Sequence, residues 1–215
     1  MRIGILGTGT VAQTLGAKLV QLGHEVKLGS RTATNEKAAA WAKGQGARAS
    51  HGTFADAAKF GEVLFNCTAG TASLDALKAA GAASLEGKIL IDVANPLDFS
   101  QGMPPTLTVC NTDSLGEQIQ RAFPGAKVVK TLNTVNCEVM VNPGLVPGAH
   151  DLFVSGNDAD AKQAVTGYLR DWFGWKSVID LGDISTARGT EMMLAAWIRV
   201  LMALGTARFN WRVVK

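Results

Sequence analysis

The chain has 215 residues, enough for one buried core and near the upper end of what a single core serves. Its 21 basic and 18 acidic residues give a formal net charge of +3, and the basic residues are scattered, which argues against nucleic-acid binding. Three widely spaced cysteines, Cys67, Cys110 and Cys137, predict no disulfide framework and no metal site, and they favour a reducing compartment.

The two ends of the chain carry no predicted targeting or membrane signal. The first residues lead directly into a strand pattern, so we expect no signal peptide. The most apolar stretch, residues 192–204, contains Arg199 and is shorter than the roughly 20 residues of a membrane span. We therefore expect a cytoplasmic protein that does not contact a membrane.

Short segments rich in aliphatic and β-branched residues alternate with alanine-rich segments of helical spacing. This alternation predicts an α/β fold with a doubly wound, mostly parallel sheet. The irregular stretches 95–111 and 133–150 follow strands and are expected to line a site. Strands are predicted at residues 2–6, 25–28, 62–66, 88–92, 127–130, 151–155 and 176–180, with a short one near 47–49, and helices at 11–22, 36–43, 73–80, 114–123 and 159–172.

From Ser185 onward the pattern is that of one long helix with apolar residues on more than one side. Such a helix is either buried against its own chain or shared with a second subunit. Both alternatives stay open at this point: core packing within one chain, or a homodimer with this helix at or near the interface.

The first predicted strand runs into G-T-G-T-V-A, from Gly7 to Ala12, and then into a helix. This is the dinucleotide-binding fingerprint in its G-x-G-x-x-A form, in the required strand–turn–helix setting. Gly7 permits the tight turn, Gly9 lets the backbone approach a pyrophosphate, and Ala12 allows close packing of helix on strand. The sequence therefore predicts a Rossmann NAD(P)-binding fold.

The second predicted strand decides between the two nicotinamide dinucleotides. NAD-specific folds carry Asp or Glu about 20 residues after the glycines, to bind the ribose hydroxyls; here Gly29 stands at that place. Ser30, Arg31 and Thr32 follow, and Lys37 lies one turn into the next helix. Hydroxyls and cations suit a 2′-phosphate, so NADP(H) is the predicted cofactor.

We assign residues 1–182 to the NADP-binding Rossmann domain and 183–215 to a C-terminal helical segment packed on that domain.

Small residues after two further strands predict where the nicotinamide half binds. They admit a flat ring, whereas Cys67, at a buried strand end without a histidine nearby in sequence, is interpreted as packed and unreactive. The candidates are Thr68, Ala69, Ala94, Asn95 and Pro96.

No side chain is a convincing acid or base for a reaction on an alcohol. Tyr168 is the only tyrosine and lies on a helix face suited to packing, and His24 and His51 are expected in a turn and a loop. His150, at the end of an irregular stretch, is the least easily dismissed. The sequence thus favours hydride exchange with a planar redox partner, which needs little acid–base assistance.

Several segments together resemble one family. They are the N-terminal G-T-G-T-V-A, G-S-R-T after the second strand, D-V-A-N-P-L, V-V-K-T-L-N-T at 128–134, and L-G-D-I-S-T-A-R-G-T-E. The chain resembles the small NADPH-dependent reductases typified by the deazaflavin coenzyme (F-420):NADP oxidoreductases, which include the oxidoreductase domain of the STEAP metalloreductases. Leu132-Asn133-Thr134 is closer to the metalloreductase-like branch.

The resemblance implies a hydride passed between the nicotinamide C4 and the deazaflavin C5, with the two rings stacked in a cleft. By the same resemblance, the phosphates are contacted by Thr8, Thr10 and Val11, and the 2′-phosphate is contacted by Ser30, Arg31 and Thr32. The nicotinamide half is contacted by Ala69, Ala94 and Asn95. The second ring is contacted by Asn133 and Thr134, and by Met193 and Trp197 from the last helix.

The leading hypothesis is therefore an NADPH-dependent oxidoreductase that acts on a deazaflavin or flavin-like acceptor. A free flavin, a quinone or another small molecule stays open as the acceptor. The alternatives are a small β-hydroxyacid dehydrogenase or imine reductase, and an NADPH-binding redox sensor without turnover.

Overall fold

The strands of the computed structural model, which describes all 215 residues, follow the predicted alternation closely. Their apolar residues are buried on both faces, as expected for a parallel sheet covered by helices. In chain order they are β1 (Arg2–Leu6), β2 (Glu25–Ser30), β3 (Ala49–Thr53), β4 (Val63–Asn66), β5 (Ile89–Asp92), β6 (Leu97–Asp98), β7 (Thr106–Leu107), β8 (Lys127–Lys130), β9 (Leu152–Val154) and β10 (Val178–Asp180).

Several helices begin where a short polar side chain accepts a hydrogen bond from a first-turn amide. Asn35, Ser114 and Asp158 each cap a helix in this way. The helices are α1 (Thr10–Gln21), α2 (Glu36–Gln45), α3 (Phe54–Phe60), α4 (Gly70–Ala80), α5 (Ala82–Leu85), α6 (Leu115–Ala122), α7 (Cys137–Val141), α8 (Ala159–Phe173) and α9 (Ala187–Leu204).

Six parallel strands form the central sheet in the order β3-β2-β1-β4-β5-β8. The carboxyl ends of five of them are in register, because Leu6 pairs with Gly29 and Asn66, Asn66 with Asp92, and Asp92 with Lys130. One edge of the sheet thus collects the loops that the sequence analysis assigned to the cofactor. The predicted doubly wound Rossmann fold is confirmed.

Several local predictions were wrong or incomplete. β9 and β10 pair with each other in a separate small sheet, which meets the central sheet only at an isolated antiparallel bridge between Lys130 and Ser155. His51 lies in β3, which begins at Ala49 and not near residue 47. The predicted irregular stretches contain the β6–β7 hairpin, α7 and a 3-10 turn at Pro143–Leu145. α3 was missed because it has only seven residues.

Two apolar cores lie on the two faces of the sheet. α1, α2, α7 and α8 cover one face around Leu15, Trp41 and Trp175, whereas α3, α4 and α6 cover the other around Leu77 and Ile119. The sheet is therefore fully enclosed, and its carboxyl edge is where a ligand can reach the strand ends.

The predicted C-terminal helix is α9, which packs against α6 and contacts β7. Beyond it the chain folds back, and Asp151 holds it: its amide donates to the Trp211 carbonyl, and its carboxylate accepts from the amide of Val213. No helix combines the length and apolar character needed to cross a membrane. The division of the chain at residue 182 stays a prediction.

Candidate functional site

Two adjoining cavities open at the carboxyl edge of the sheet. The large cavity, of about 1020 Å³, lies between the loops after β1, β2 and β4 and the helix α4. The small cavity, of about 410 Å³, lies between the loops after β4 and β5. They share Cys67, Thr68, Ala69 and Thr71, so together they form one cleft with two parts.

The glycine turn forms the floor of the large cavity. Gly7 has a φ of +126°, and a Cβ there would lie 2.6 Å from the Cys67 carbonyl oxygen, so the turn requires glycine. A Cβ at Gly9 would meet no atom within 4 Å, which leaves room for a ligand against the backbone. No side chain caps α1 at Gly9, so its first-turn amides are available to an anion.

The loop after β2 brings the predicted 2′-phosphate residues to the same cavity. Ser30, Arg31 and Thr32 line it, together with Asn35. The Ser30 hydroxyl donates to the Thr32 carbonyl at 2.6 Å and so fixes the loop, while Arg31 is exposed and takes part in no ion pair. Its guanidinium is therefore free to meet an anion. Lys37 is not among the lining residues.

One wall of the large cavity was not anticipated from the sequence. Phe54 begins α3 and contributes its ring, and Asp75, Ala76 and Ala79 of α4 face it. A flat heterocycle such as adenine would lie well between these apolar surfaces. The available sequence signal was the pair Thr53 and Asp56, which forms a capping box that starts α3.

The small cavity holds the residues predicted for the nicotinamide half. Val11, Thr68, Ala69, Ala94 and Asn95 line it, along with Leu97 to Phe99 at its outer side. Gly70, the first residue of α4, packs so closely on the Asn95 carbonyl that a Cβ would collide with it. The two loops are therefore held rigidly against each other.

The remaining predicted residues surround this cleft or support it from below. Thr10 starts α1, Ala12 is buried beneath it, and Pro96 is buried beside the small cavity without lining it. Met193 and Trp197 lie on α9 outside both cavities, where Trp197 stacks on Phe209 with ring centroids 5.2 Å apart.

Asn133 and Asn95 form a reciprocal amide contact between two of the predicted loops. Asn133 Nδ2 donates to Asn95 Oδ1 at 3.0 Å, and Asn95 Nδ2 donates to the Asn133 carbonyl at 2.9 Å. Thr134 is buried, and its hydroxyl has no hydrogen-bond partner. This contact brings the 133–134 segment next to the small cavity.

Beneath the small cavity is a buried ionic cluster that the sequence analysis did not identify. Lys130 Nζ lies 2.9 Å from Asp92 Oδ2 and 2.8 Å from Glu191 Oε1. All three residues fall inside segments that carried the family resemblance, but their meeting depends on α9 packing against the sheet edge, which spacing in sequence does not reveal.

The acid–base candidates Tyr168 and His150 lie outside the two cavities, whereas Cys67 lines both of them. Tyr168 stacks on Trp172 at 4.1 Å. His150 is held between the Pro143 carbonyl and Asn210, outside both cavities. Burial and the nearby Asp92 carboxylate raise the pKa of the Cys67 thiol far above its usual range, which disfavours its thiolate form. No group of three or more His, Cys, Asp or Glu side chains could hold a metal ion.

The fold and the glycine turn at its cleft are those of a Rossmann-type dinucleotide-binding protein. The family model described as NADP oxidoreductase, coenzyme F420-dependent, matches residues 2–96. A protein of Arthrobacter sp. FB24, assigned as an F420-dependent NADP-reductase, is 53% identical over the full length of both chains, and its crystal structure superposes with a TM-score of 0.96. The chain belongs to this family of NADP oxidoreductases.

Two more distant proteins are similar over nearly the whole chain. Metalloreductase STEAP3 of Rattus norvegicus is 30% identical over 212 residues, which are 95% of this chain and 39% of the rat protein. The chain thus spans well under half of that relative. A reductive aminase of Aspergillus terreus, solved with NADPH, shares the fold at 19% identity with a TM-score of 0.65, over 94% of this chain and 62% of its own.

Proposed function

We propose that the protein catalyses hydride transfer between NADP(H) and a deazaflavin or flavin-like acceptor. The observation that carries this proposal is the two-part cleft: its large cavity is lined by the glycine turn and Arg31, and small residues such as Ala69 and Ala94 line its small cavity. When bound, NADPH supplies the hydride from C4 of its nicotinamide ring.

The residues of the large cavity would hold the nucleotide end. The α1 amides and the glycine turn face the pyrophosphate, with Thr8, Thr10 and Val11 beside it, and Arg31 meets the 2′-phosphate with the support of Ser30 and Thr32. Lys37, one turn further along, adds positive charge near the loop without lining the cavity. These contacts are electrostatic, so they orient the cofactor without taking part in the chemistry.

The residues of the small cavity would hold the reacting ring. Ala69, Ala94 and Asn95 present small side chains to one face of that ring, and the acceptor would stack on the other, with Asn133 and Thr134 close by. Thr134 is buried and lines neither cavity, and its hydroxyl has no partner within the chain, so its contact with an acceptor stays a proposal from the resemblance. Met193 and Trp197 remain proposed contacts of the acceptor, since α9 contacts the β6–β7 hairpin that borders this cavity.

The small cavity contains no His, Lys or Tyr side chain, and the Ser100 amide lowers the pKa of its one carboxyl group, Asp98, so its lining favours a planar redox acceptor over an alcohol or imine. A dehydrogenase acting on a hydroxyl group needs a tuned proton donor within hydrogen-bond reach. Lys130 is the lysine nearest the small cavity through its contact with Ala94, but it is fully buried between two carboxylates. The dehydrogenase and imine-reductase alternatives are therefore less well supported.

The direct test is oxidation of NADPH, followed at 340 nm, with a deazaflavin, free flavin, a quinone and a ferric chelate offered in turn. We expect turnover with the deazaflavin or flavin. Tight NADPH binding with no turnover against any of the four would favour the redox-sensor alternative instead.

We also propose that two copies associate through α9. Met202 and Leu204 at its end are more than half exposed, although Leu194 and Ile198 pack inward within the same chain. Light scattering distinguishes a dimer from a monomer.

We propose a cytoplasmic location for the protein. Its three cysteines are free thiols, as is usual in a reducing compartment.

A further inference from the structure

Three ionisable side chains meet in the interior directly behind the small cavity. The side chains of Asp92, Lys130 and Glu191 are at most 1% exposed. Burial by itself would lower the pKa of Lys130, but the two neighbouring carboxylates outweigh it and raise that pKa, so the side chain stays an ammonium. This cluster, the Asp92–Lys130–Glu191 triad, therefore sets two carboxylates against one cation.

The carboxylates of the triad are held by further donors. Asp92 Oδ1 accepts from Asn66 Nδ2 at 2.8 Å, and Glu191 accepts from the amides of Leu115 and Gly116 at 2.8 and 3.0 Å. The amides of Leu115 and Gly116 belong to the first turn of α6. The dipole of this helix offsets part of the negative charge of Glu191. Glu191 thus joins α9, α6 and the sheet at a single buried point.

The triad also fixes both loops of the small cavity. Lys130 Nζ donates to the carbonyl oxygen of Ala94, which lines that cavity with Asn95. Asn66, bonded to Asp92, accepts from the Thr68 hydroxyl at 2.7 Å, and Thr68 lines both cavities. Movement of the triad would therefore displace both walls of the space for the reacting ring.

We propose that Asp92, Lys130 and Glu191 are positioning residues for the nicotinamide half of the cofactor, and that their excess negative charge favours the oxidised, cationic ring over the reduced, neutral one. The proposal rests on the placement of the nicotinamide in the small cavity set out under Proposed function. The charge of a buried carboxylate is little screened in a low-dielectric interior. The negative charge of the triad therefore acts on a ring bound in the small cavity, which Ala94 separates from Lys130.

The test is a comparison of three ligands by calorimetry in the wild type and in Glu191→Gln. The ligands are NADP⁺, NADPH and 2′-phospho-ADP-ribose, which lacks the nicotinamide. The substitution keeps the size of the side chain and removes its charge. We expect NADP⁺ to bind about tenfold more weakly and NADPH about threefold, with 2′-phospho-ADP-ribose changed less than about twofold.

Glu117→Gln is the matched control. Glu117 also links α6 to α9, through Arg188 at 2.6 and 2.8 Å, but it touches neither Lys130 nor the Ala94 carbonyl. We expect this variant to bind all three ligands as the wild type does. If Glu191→Gln does not fold, Asp92→Asn removes the other carboxylate and is read in the same way.

Equal weakening of all three ligands, or no change in a folded variant, would overturn the proposal, as would the same pattern in Glu117→Gln. Failure of the wild type to reduce any deazaflavin or flavin would overturn the proposed acceptor alone, because this comparison measures binding. A wild type that binds neither NADP⁺ nor NADPH would overturn both.

Discussion

The backbone of Gly7 packs against the carbonyl group of Cys67 so closely that a Cβ at residue 7 would lie 2.6 Å from the carbonyl oxygen. Two strand-end loops therefore meet with no space between them. Gly9, two residues on, has open space in front of it. The two glycines of one motif thus differ: the fold requires the first, and the open space at the second is predicted to admit a ligand.

This difference predicts opposite behaviour of two alanine variants. Gly9→Ala should fold with a Tm close to that of the wild type, yet bind NADPH at least about tenfold more weakly, because the methyl group occupies the space for the pyrophosphate. Gly7→Ala should be destabilised by roughly 2 kcal/mol or more, since it adds a clash and strain at positive φ. Thermal unfolding and fluorescence titration measure the two effects. A Gly9→Ala protein with full NADPH affinity would contradict the assigned pyrophosphate site.

The ion pair between Glu117 and Arg188 predicts a pH-dependent contribution to stability. The hydrogen bonds from Arg188 hold the pKa of Glu117 below its ordinary value of 4.5. A depressed folded-state pKa means that the stabilisation is complete above the unfolded value and is lost as the pH falls through the lower folded value.

Glu117→Gln should therefore lower Tm by roughly 5 °C at about pH 7, and the difference from the wild type should shrink below about pH 4.5. Differential scanning fluorimetry from pH 3 to pH 7 provides the measurement. A difference in Tm that stays constant across this range would show that the charge of Glu117 does not contribute.

Cys67 is predicted to be chemically inert although it borders both cavities. Its pKa is raised by burial and by the Asp92 carboxylate, so the reactive thiolate form is scarce. Cys110 is exposed and serves as the internal control. Brief treatment with a maleimide, read by peptide mass spectrometry, should modify Cys110 and spare Cys67, and Cys67→Ala should keep NADPH turnover within about threefold. Rapid labelling of Cys67 would contradict its raised pKa.

The sequence was sufficient for features that depend on neighbours along the chain. The glycine turn, the loss of the carboxylate at Gly29 and the sheet all follow from local spacing and period. Phe54 and the Lys130–Glu191 contact were missed, because each depends on how separate elements pack: α3 is too short to give a helical period, and Glu191 is brought to the sheet by α9 from 61 positions away. Buried charges carry no sequence signal of their own, since isolated Lys and Glu are normally exposed.

Arg31 offers the sharpest test of the cofactor assignment. It lines the large cavity and has no ion-pair partner in the protein, so its charge is available to a 2′-phosphate. Charge-assisted hydrogen bonds contribute about 1.5–3 kcal/mol each, which corresponds to a preference of about tenfold to a hundredfold. Arg31→Ala should therefore weaken NADPH by that factor while leaving NADH, which lacks the phosphate, nearly unchanged.

Lys37→Ala is the control for this prediction. This substitution removes one positive charge from the first turn of α2, close to the β2 loop, but Lys37 does not line the cavity. Its attraction to the phosphate is therefore long-range and screened by salt. We expect less than about a threefold loss of NADPH affinity. Fluorescence titration of NADPH and NADH with both variants distinguishes a direct contact of Arg31 with the 2′-phosphate from a long-range attraction by nearby positive charge. If Lys37→Ala removed the preference and Arg31→Ala did not, the 2′-phosphate would lie against the first turn of α2 and not against the β2 loop.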